Sequence, residues 1–198
     1  MKNSKLKITI VDGYLDEPSC LGVPPYISPH LRYLWGALLE SGVDQDNLNY
    51  LSIDSFRKNK EAELKKMEEL DILILVAGTT VPGHYLGGQP ASAAEIKEIG
   101  EKVFYPTKVL GGPITLIKNM RNKFEANYDI LASEITALDI FERLNGLEIP
   151  QAEINQYIKQ FAVKGASLLK NHPNYPRIIA ELETFRGCPR ASHCAFCS

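Results

Sequence analysis

Residues 71–78, DILILVAG, run through six apolar side chains in succession without a polar break. A strand with one wet face alternates apolar and polar residues; an unbroken run has to be covered on both faces, which a parallel sheet between two layers of helices provides. The rest of the chain keeps that rhythm. Short β-rich runs occur at LKITIV (6–11, closed by Asp12 and Gly13), NYLSI, TKVLGGP and YDILAS. Helical patterns separate them: HLRYLWGALLESG, FRKNKEAELKKMEEL, AAEIKEIGEKV, IKNMRNKF and ITALDIFERLNG. Strands joined through helices imply crossover connections. The expectation is an α/β fold with a doubly wound, mostly parallel five-stranded sheet, Rossmann-like or flavodoxin-like, followed by a helical and strand extension.

Local signals sharpen the helix limits. Ser28 and Pro29 supply a cap and a first-turn proline to the first helix, whose Leu31, Leu34, Trp35, Leu38 and Leu39 share one face, and Gly42 is a natural stop. Ser55 is expected to cap the charged helix that follows the second strand, and Ser92 precedes the next. After Gly146 the pattern weakens to one helix and an Asn/His/Pro-rich linker ending at Pro176, after which RIIAELET reads as a new strand. The chain divides on this reading into an α/β domain (1–146), a helix and linker (147–176), and the start of a further unit (177–198).

Composition excludes some partners. The 198 residues carry a formal net charge of −2 with no long basic block, which argues against nucleic acid or an anionic membrane as a primary partner. The N-terminal apolar run is too short for a signal peptide, and the expected location is cytoplasmic. In a reducing compartment, four cysteines of which three are bunched near the end point to metal or redox chemistry rather than a disulfide framework.

In an open parallel sheet, ligands sit outside the carboxyl ends of the strands. The loops there are DGYLDEPSCLGVPPY after the first strand, GTTVPGHYLGGQPAS after the third and GGPIT after the fourth. All are rich in Gly and Pro, which serve either to turn the chain or to let backbone approach a ligand closely. Neither a GxGxxG turn after the first strand nor a P-loop is present, so dinucleotide and P-loop nucleotide binding lack their phosphate cradle.

Cys188-x5-Cys194-x2-Cys197 sets three soft ligands on one short loop, which suits zinc or an iron–sulfur cluster. A tetrahedral zinc site would need a fourth ligand, for which His193 and Cys20 are candidates. A cluster held by three thiolates leaves one iron open to a substrate or cofactor.

The stretch ETFRGCPRASHCAFCS resembles the cluster loop of the radical S-adenosylmethionine enzymes, which follows the first barrel strand and commonly reads Cys-x3-Cys-x-aromatic-Cys. Cys188, Cys194 and Cys197 match the cysteines, with a first gap of five residues in place of three, and Phe196 matches the aromatic that lies near the adenine of S-adenosylmethionine. Residues 5–146 resemble the domain that precedes this barrel in the cobalamin-binding branch, on Gly22-Val23-Pro24-Pro25-Tyr26, Gly111-Gly112-Pro113 and Ser133-Glu134 in that order. The resemblance implies a [4Fe–4S] cluster, S-adenosylmethionine, an electron donor and an unidentified substrate, with cobalamin as a further cofactor. Its contacts would be Thr79, Thr80, Gly111, Gly112 and Pro113.

The chain departs from the histidine-supplying cobalamin domains, since Asp12-Gly13-Tyr14 stands where Asp-x-His would. Cobalamin would then be held without that histidine, or the domain has lost it. His84 reads as a surface-loop residue, Cys20 as an inert thiol, and Tyr26 and Tyr85 as cleft or packing residues. Two readings follow. In one, the chain is the N-terminal accessory domain of a radical S-adenosylmethionine enzyme, cut after the cysteine motif and inactive alone. In the other, it is a stand-alone binding or sensor module with a zinc- or disulfide-forming tail.

Overall fold

A computed structural model describes residues 3–14, 26–78, 89–180 and 182, with Tyr26, Ile179 and Ala180 described by their backbone. Five strands, β1 (Ile8–Asp12), β3 (Leu48–Ser52), β4 (Ile72–Val76), β5 (Thr107–Gly111) and β6 (Ile130–Leu131), form one sheet in the order β3-β1-β4-β5-β6. Every neighbouring pair is parallel, with Ile10 aligned to Tyr50 on one side and Ile74 on the other. The expected doubly wound α/β fold is the fold observed. β6 is shorter than YDILAS suggests. Its flanks still pair, through Asp129 N to Lys108 O at 3.0 Å and Ala132 N to Leu110 O at 2.8 Å.

Side chains alternate across the strands into two cores. Ile8, Ile10, Ile74, Val76 and Val109 face α1 (Pro29–Glu40), α6 (Thr136–Asn145) and α7 (Ile154–Lys164). Val11, Leu51, Leu73, Leu75 and Leu110 face α2 (Ile53–Lys58), α3 (Lys60–Met67), α4 (Ala93–Lys102) and α5 (Lys118–Phe124). β4 is therefore apolar throughout because helices cover both of its faces.

Two local expectations are corrected. Ser52, not Ser55, caps the helix after β3: its Oγ accepts the amide of Ser55 at 3.2 Å, and Ser55 lies inside the helix. The charged helix is also two helices, because Asn59 leaves helical geometry at φ −134°, which keeps Phe56 of α2 and Leu64 and Met67 of α3 on the same core. Ser28, Pro29 and Gly42 act as expected, with Gly42 at φ 81°. Ser92 closes a full capping box with Glu95.

The helix α1 is more deeply buried than a one-faced amphipathic helix. Tyr33, Gly36 and Ala37 are buried along with Leu31, Leu34, Trp35 and Leu38, whereas Leu39 is only partly so. The cause is α7, which packs over the outer side of α1 and contributes Phe161 to the same core. The crossing works because two positions lack a Cβ. One added at Gly36 would lie 1.9 Å from Phe161 O, and one at Gly165 would lie 1.8 Å from Arg32 O. Trp35 Nε1 donates to Ser167 Oγ at 3.1 Å, just past the crossing. The segment read as helix and linker thus also supplies Leu168 and the buried His172.

A second, two-stranded sheet was not legible in the sequence. β2 (Tyr26–Ile27) pairs in parallel with β7 (Ile179–Ala180), the part of the expected strand RIIAELET that is strand among the described residues. β2 immediately precedes α1, whose N-terminus lies at the carboxyl edge of the main sheet because α1 is the β1-to-β3 crossover.

Replacing Gly36 by alanine should force α7 off α1. The expected loss, measured by urea unfolding, is about 3 kcal/mol, at the upper end for overpacked cores. An unchanged midpoint would show that the two helices separate at no cost.

Candidate functional site

The strand order reverses direction between β1 and β4, so the carboxyl ends of those two strands form the switch point at which doubly wound sheets take ligands. Backbone hydrogen bonds extend the sheet past the strand ends. Gly13 N donates to Val76 O at 2.9 Å, Ala77 N to Gly111 O at 3.0 Å, and Ala91 N to Gly13 O at 2.8 Å. The two long loops expected to form the cleft begin and end on this framework, and their residues 15–25 and 79–88 lie outside the described residues.

Asp12, the last residue of β1, is 1 % exposed. Its Oδ1 accepts the amide of Tyr14 at 2.9 Å and its Oδ2 accepts the hydroxyl of Tyr50 at 2.6 Å. Burial pushes its pKa up to about 7, against the pull of the two hydrogen bonds and with a further push from Asp54. Burial and the neighbouring Asp12 likewise hold the Tyr50 hydroxyl well above its ordinary value. Tyr14 has a left-handed backbone, φ 55°, which costs a non-glycine residue free energy and which the Asp12 carboxylate stabilises by gripping its amide. The Tyr50 ring in turn packs on His172, with centroids 5.6 Å apart.

A second device anchors the end of the loop after β4. Arg57 of α2 uses every N–H it has. Nε and Nη2 reach the two oxygens of Glu95 at 2.6 and 2.8 Å, Nη1 reaches Asp54 at 2.7 Å and Gln89 O at 2.7 Å, and Nη2 also reaches Pro90 O at 3.1 Å. The Arg57 contact is the largest cause that draws the Glu95 pKa down to about 2. Sequence reasoning missed Arg57 entirely, although the Ser92–Glu95 capping box beside it was readable. Asp12 was noted only where a motif departs from a pattern; a lone acid closing an apolar strand was the available signal.

Gly111, Gly112 and Pro113 stand at the carboxyl end of β5 as expected, but the fold itself engages the two glycines. A Cβ on Gly111 would meet Thr136 Oγ1 at 2.0 Å, and Gly112, at φ 88°, has Ala77 O where its Cβ would be, 2.6 Å away. The Gly112 amide donates to Thr136 Oγ1 at 3.0 Å, and its carbonyl accepts Thr115 Oγ1 at 2.9 Å. Ser133, from the Ser133-Glu134 motif, donates through its amide and hydroxyl to Asp139 at the start of α6. Thr79, Thr80, His84, Tyr85, Cys20, Gly22 to Pro25, Cys188, His193, Cys194, Phe196 and Cys197 lie outside the described residues. Among the described residues, no three metal-capable side chains come together, and no helix is long and apolar enough to cross a membrane.

Fold and edge together define a doubly wound α/β domain whose candidate site is the β1/β4 switch point. No protein-family model matches the chain. An uncharacterized protein of Archaeoglobus fulgidus is 37 % identical over 195 residues, covering 97 % of this chain and 34 % of its own length. An uncharacterized protein of Methanocaldococcus jannaschii is 38 % identical over 206 residues, covering 96 % of this chain and 37 % of its own. The chain thus spans about a third of the curated relatives it matches. Among solved structures, the radical S-adenosylmethionine methyltransferase TsrM of Kitasatospora setae, bound to tryptophan and an aza analogue of S-adenosylmethionine, aligns with a TM-score of 0.38 at 17 % identity, over 58 % of this chain and 21 % of its own.

The buried acid makes stability depend on pH in a stated direction. The unfolded chain releases the Asp12 proton near pH 3.8 while the folded chain keeps it to about pH 7. The stabilisation is therefore full below pH 4 and is lost as pH rises through 7, by about 4 kcal/mol in all. His172, whose pKa burial lowers, acts oppositely. The readout is accordingly the difference between the native chain and Asp12→Asn, which should grow in favour of the variant between about pH 4 and 7 and level off above 7 in urea unfolding. Parallel profiles would remove Asp12 as the titrating group.

Proposed function

We propose that the chain is the N-terminal accessory domain of a radical S-adenosylmethionine enzyme and carries that enzyme's cluster loop near its C-terminus. The observation that carries the reading is Cys188-x5-Cys194-x2-Cys197 with Phe196 before the last cysteine, following the β-rich run RIIAELET in the sequence. The donor set fits a [4Fe–4S] cluster: three thiolates are the soft ligands it takes, and they leave one iron site open. When bound, such a cluster supplies the electron that cleaves S-adenosylmethionine reductively. Cys188, Cys194 and Cys197 would hold it, and Phe196 would lie against the adenine.

Two further observations support the reading. The strand β7 pairs with β2 at the start of α1, so the chain enters the cysteine-bearing segment from the carboxyl edge of the main sheet, on the side of the switch point. The relatives leave roughly two thirds of their length unmatched, which is the length in which a barrel would lie.

Cobalamin fits less well. Gly112 already spends its amide and carbonyl within the chain, and Thr136 fills the space beside Gly111, so these two glycines are engaged by the fold rather than held open for a cobalamin tail. We assign the domain the role of covering the radical site and derive no step through cobalamin.

Anaerobic reconstitution with iron and sulfide tests the cluster assignment. The native protein should gain the charge-transfer absorbance of an iron–sulfur cluster, and Cys188→Ser, Cys194→Ser and Cys197→Ser should each lose it. Undiminished absorbance in all three variants, or zinc uptake in preference to iron, overturns the assignment. Hydroxocobalamin at micromolar concentration should pass through a filtration assay unretained; retention would return cobalamin to the site.

A further inference from the structure

Tyr14 is held by acids at both of its ends. Its amide donates to Asp12 Oδ1 at 2.9 Å, and its hydroxyl hydrogen-bonds the side chains of Ser52, the last residue of β3, and Asp54, in the first turn of α2. Asp54 in turn accepts Arg57 Nη1 at 2.7 Å, and Arg57 holds the carbonyls of Gln89 and Pro90 at 2.7 and 3.1 Å. One residue on, Ala91 N returns to Gly13 O at 2.8 Å. Gly13 and Tyr14, where the chain leaves β1, are therefore joined to residues 89–91 twice, by a backbone bond and by the relay through Asp54 and Arg57.

Asp12 is the member of this circuit that can change state. The groups that face it are the Tyr50 hydroxyl from β3, the Tyr14 amide and the Asp54 charge from α2, and behind Tyr50 lies the ring of His172, whose protonation burial disfavours. Among the described residues none of these supplies a positive charge. A protonated carboxyl keeps both contacts, since its carbonyl oxygen accepts the Tyr14 amide and its O–H shares a hydrogen bond with the Tyr50 hydroxyl. An ionised one is shut off from water, a cost that outweighs its two hydrogen bonds, and it is opposed by Asp54. The point that can yield is Tyr14: Asp12 and Tyr50 lie in paired strands, whereas Tyr14 holds a left-handed backbone at φ 55° whose cost is recovered on release.

We propose that Gly13–Tyr14 and residues 89–91 form a proton-controlled clasp at the switch point, closed while Asp12 carries its proton and released at Tyr14 when Asp12 ionises. Release lets water reach the carboxylate. The clasp is built from residues of the sheet edge alone and does not depend on the radical reading.

Amide hydrogen exchange of the native chain, resolved by residue and corrected for intrinsic rates, tests the clasp. Protection at Tyr14 and Ala91 should fall together, about tenfold per pH unit between about pH 4 and 7, and level off above 7. Low urea should leave their exchange unchanged while hastening that of Val11 inside β1, because the clasp opens without unfolding the sheet. Asp12→Asn should abolish the pH dependence. Tyr14→Phe and Arg57→Met should each lower protection at Ala91 several-fold, and the double variant by less than the product of the two. A flat native profile, a pH dependence that survives Asp12→Asn, exchange that follows urea in step with Val11, or single effects that simply multiply overturns the proposal. Should Asp12→Asn fail to fold, the native-chain profile and the Tyr14→Phe cycle decide it.

Discussion

The constraint on which the architecture rests is that β1 and β4, the two strands at the switch point, are apolar and need cover on both faces. A parallel sheet has no other way to keep such strands dry. On one face four short helices share the task. On the other, α1 lies directly against the sheet and is itself covered by α7, because Gly36 and Gly165 allow backbone-to-backbone approach. The segment after Gly146 is thereby tied into the same core as the strands, and the chain returns to the carboxyl edge to pair β7 with β2.

With faces and flanks committed, only the carboxyl edge is left to vary, and its structure is a set of anchors. Asp12 holds Tyr14 in a left-handed turn at the root of the first loop, and Arg57 ties the end of the second to α2 and α4. Thr136 closes the Gly111–Gly112 turn. Glycines that look like room for a ligand are here room for the Thr136 side chain and the Ala77 carbonyl.

Much of the fold was legible. The unbroken run at 71–78 marked a strand buried on both faces, and Ser28, Pro29, Gly42 and Ser92 set helix limits through capping chemistry that acts over three or four residues. The misreadings lie where tertiary contacts outweigh such local signals. Ser55 and Ser52 are equivalent by type, and only the end of β3 selects Ser52. Leu39 fits the apolar stripe of α1, yet α7 makes Tyr33, Gly36 and Ala37 the buried ones. The candidate site was legible as an edge but not as residues: Asp12, Tyr50, Arg57 and His172 come from separate elements, and no spacing links them.

The sequence by itself determined the class of fold, because hydrophobic periodicity is a property of short segments, and the proposal for the cysteine loop rests on it alone. The tertiary structure alone decided that Asp12 is a neutral-range acid and that Gly111 and Gly112 serve the fold. It alone decided that His172 is buried with Nε2 left without a partner. Burial and hydrogen-bond partnership are sums over neighbours distant in sequence, and they exist only once the chain has closed on itself.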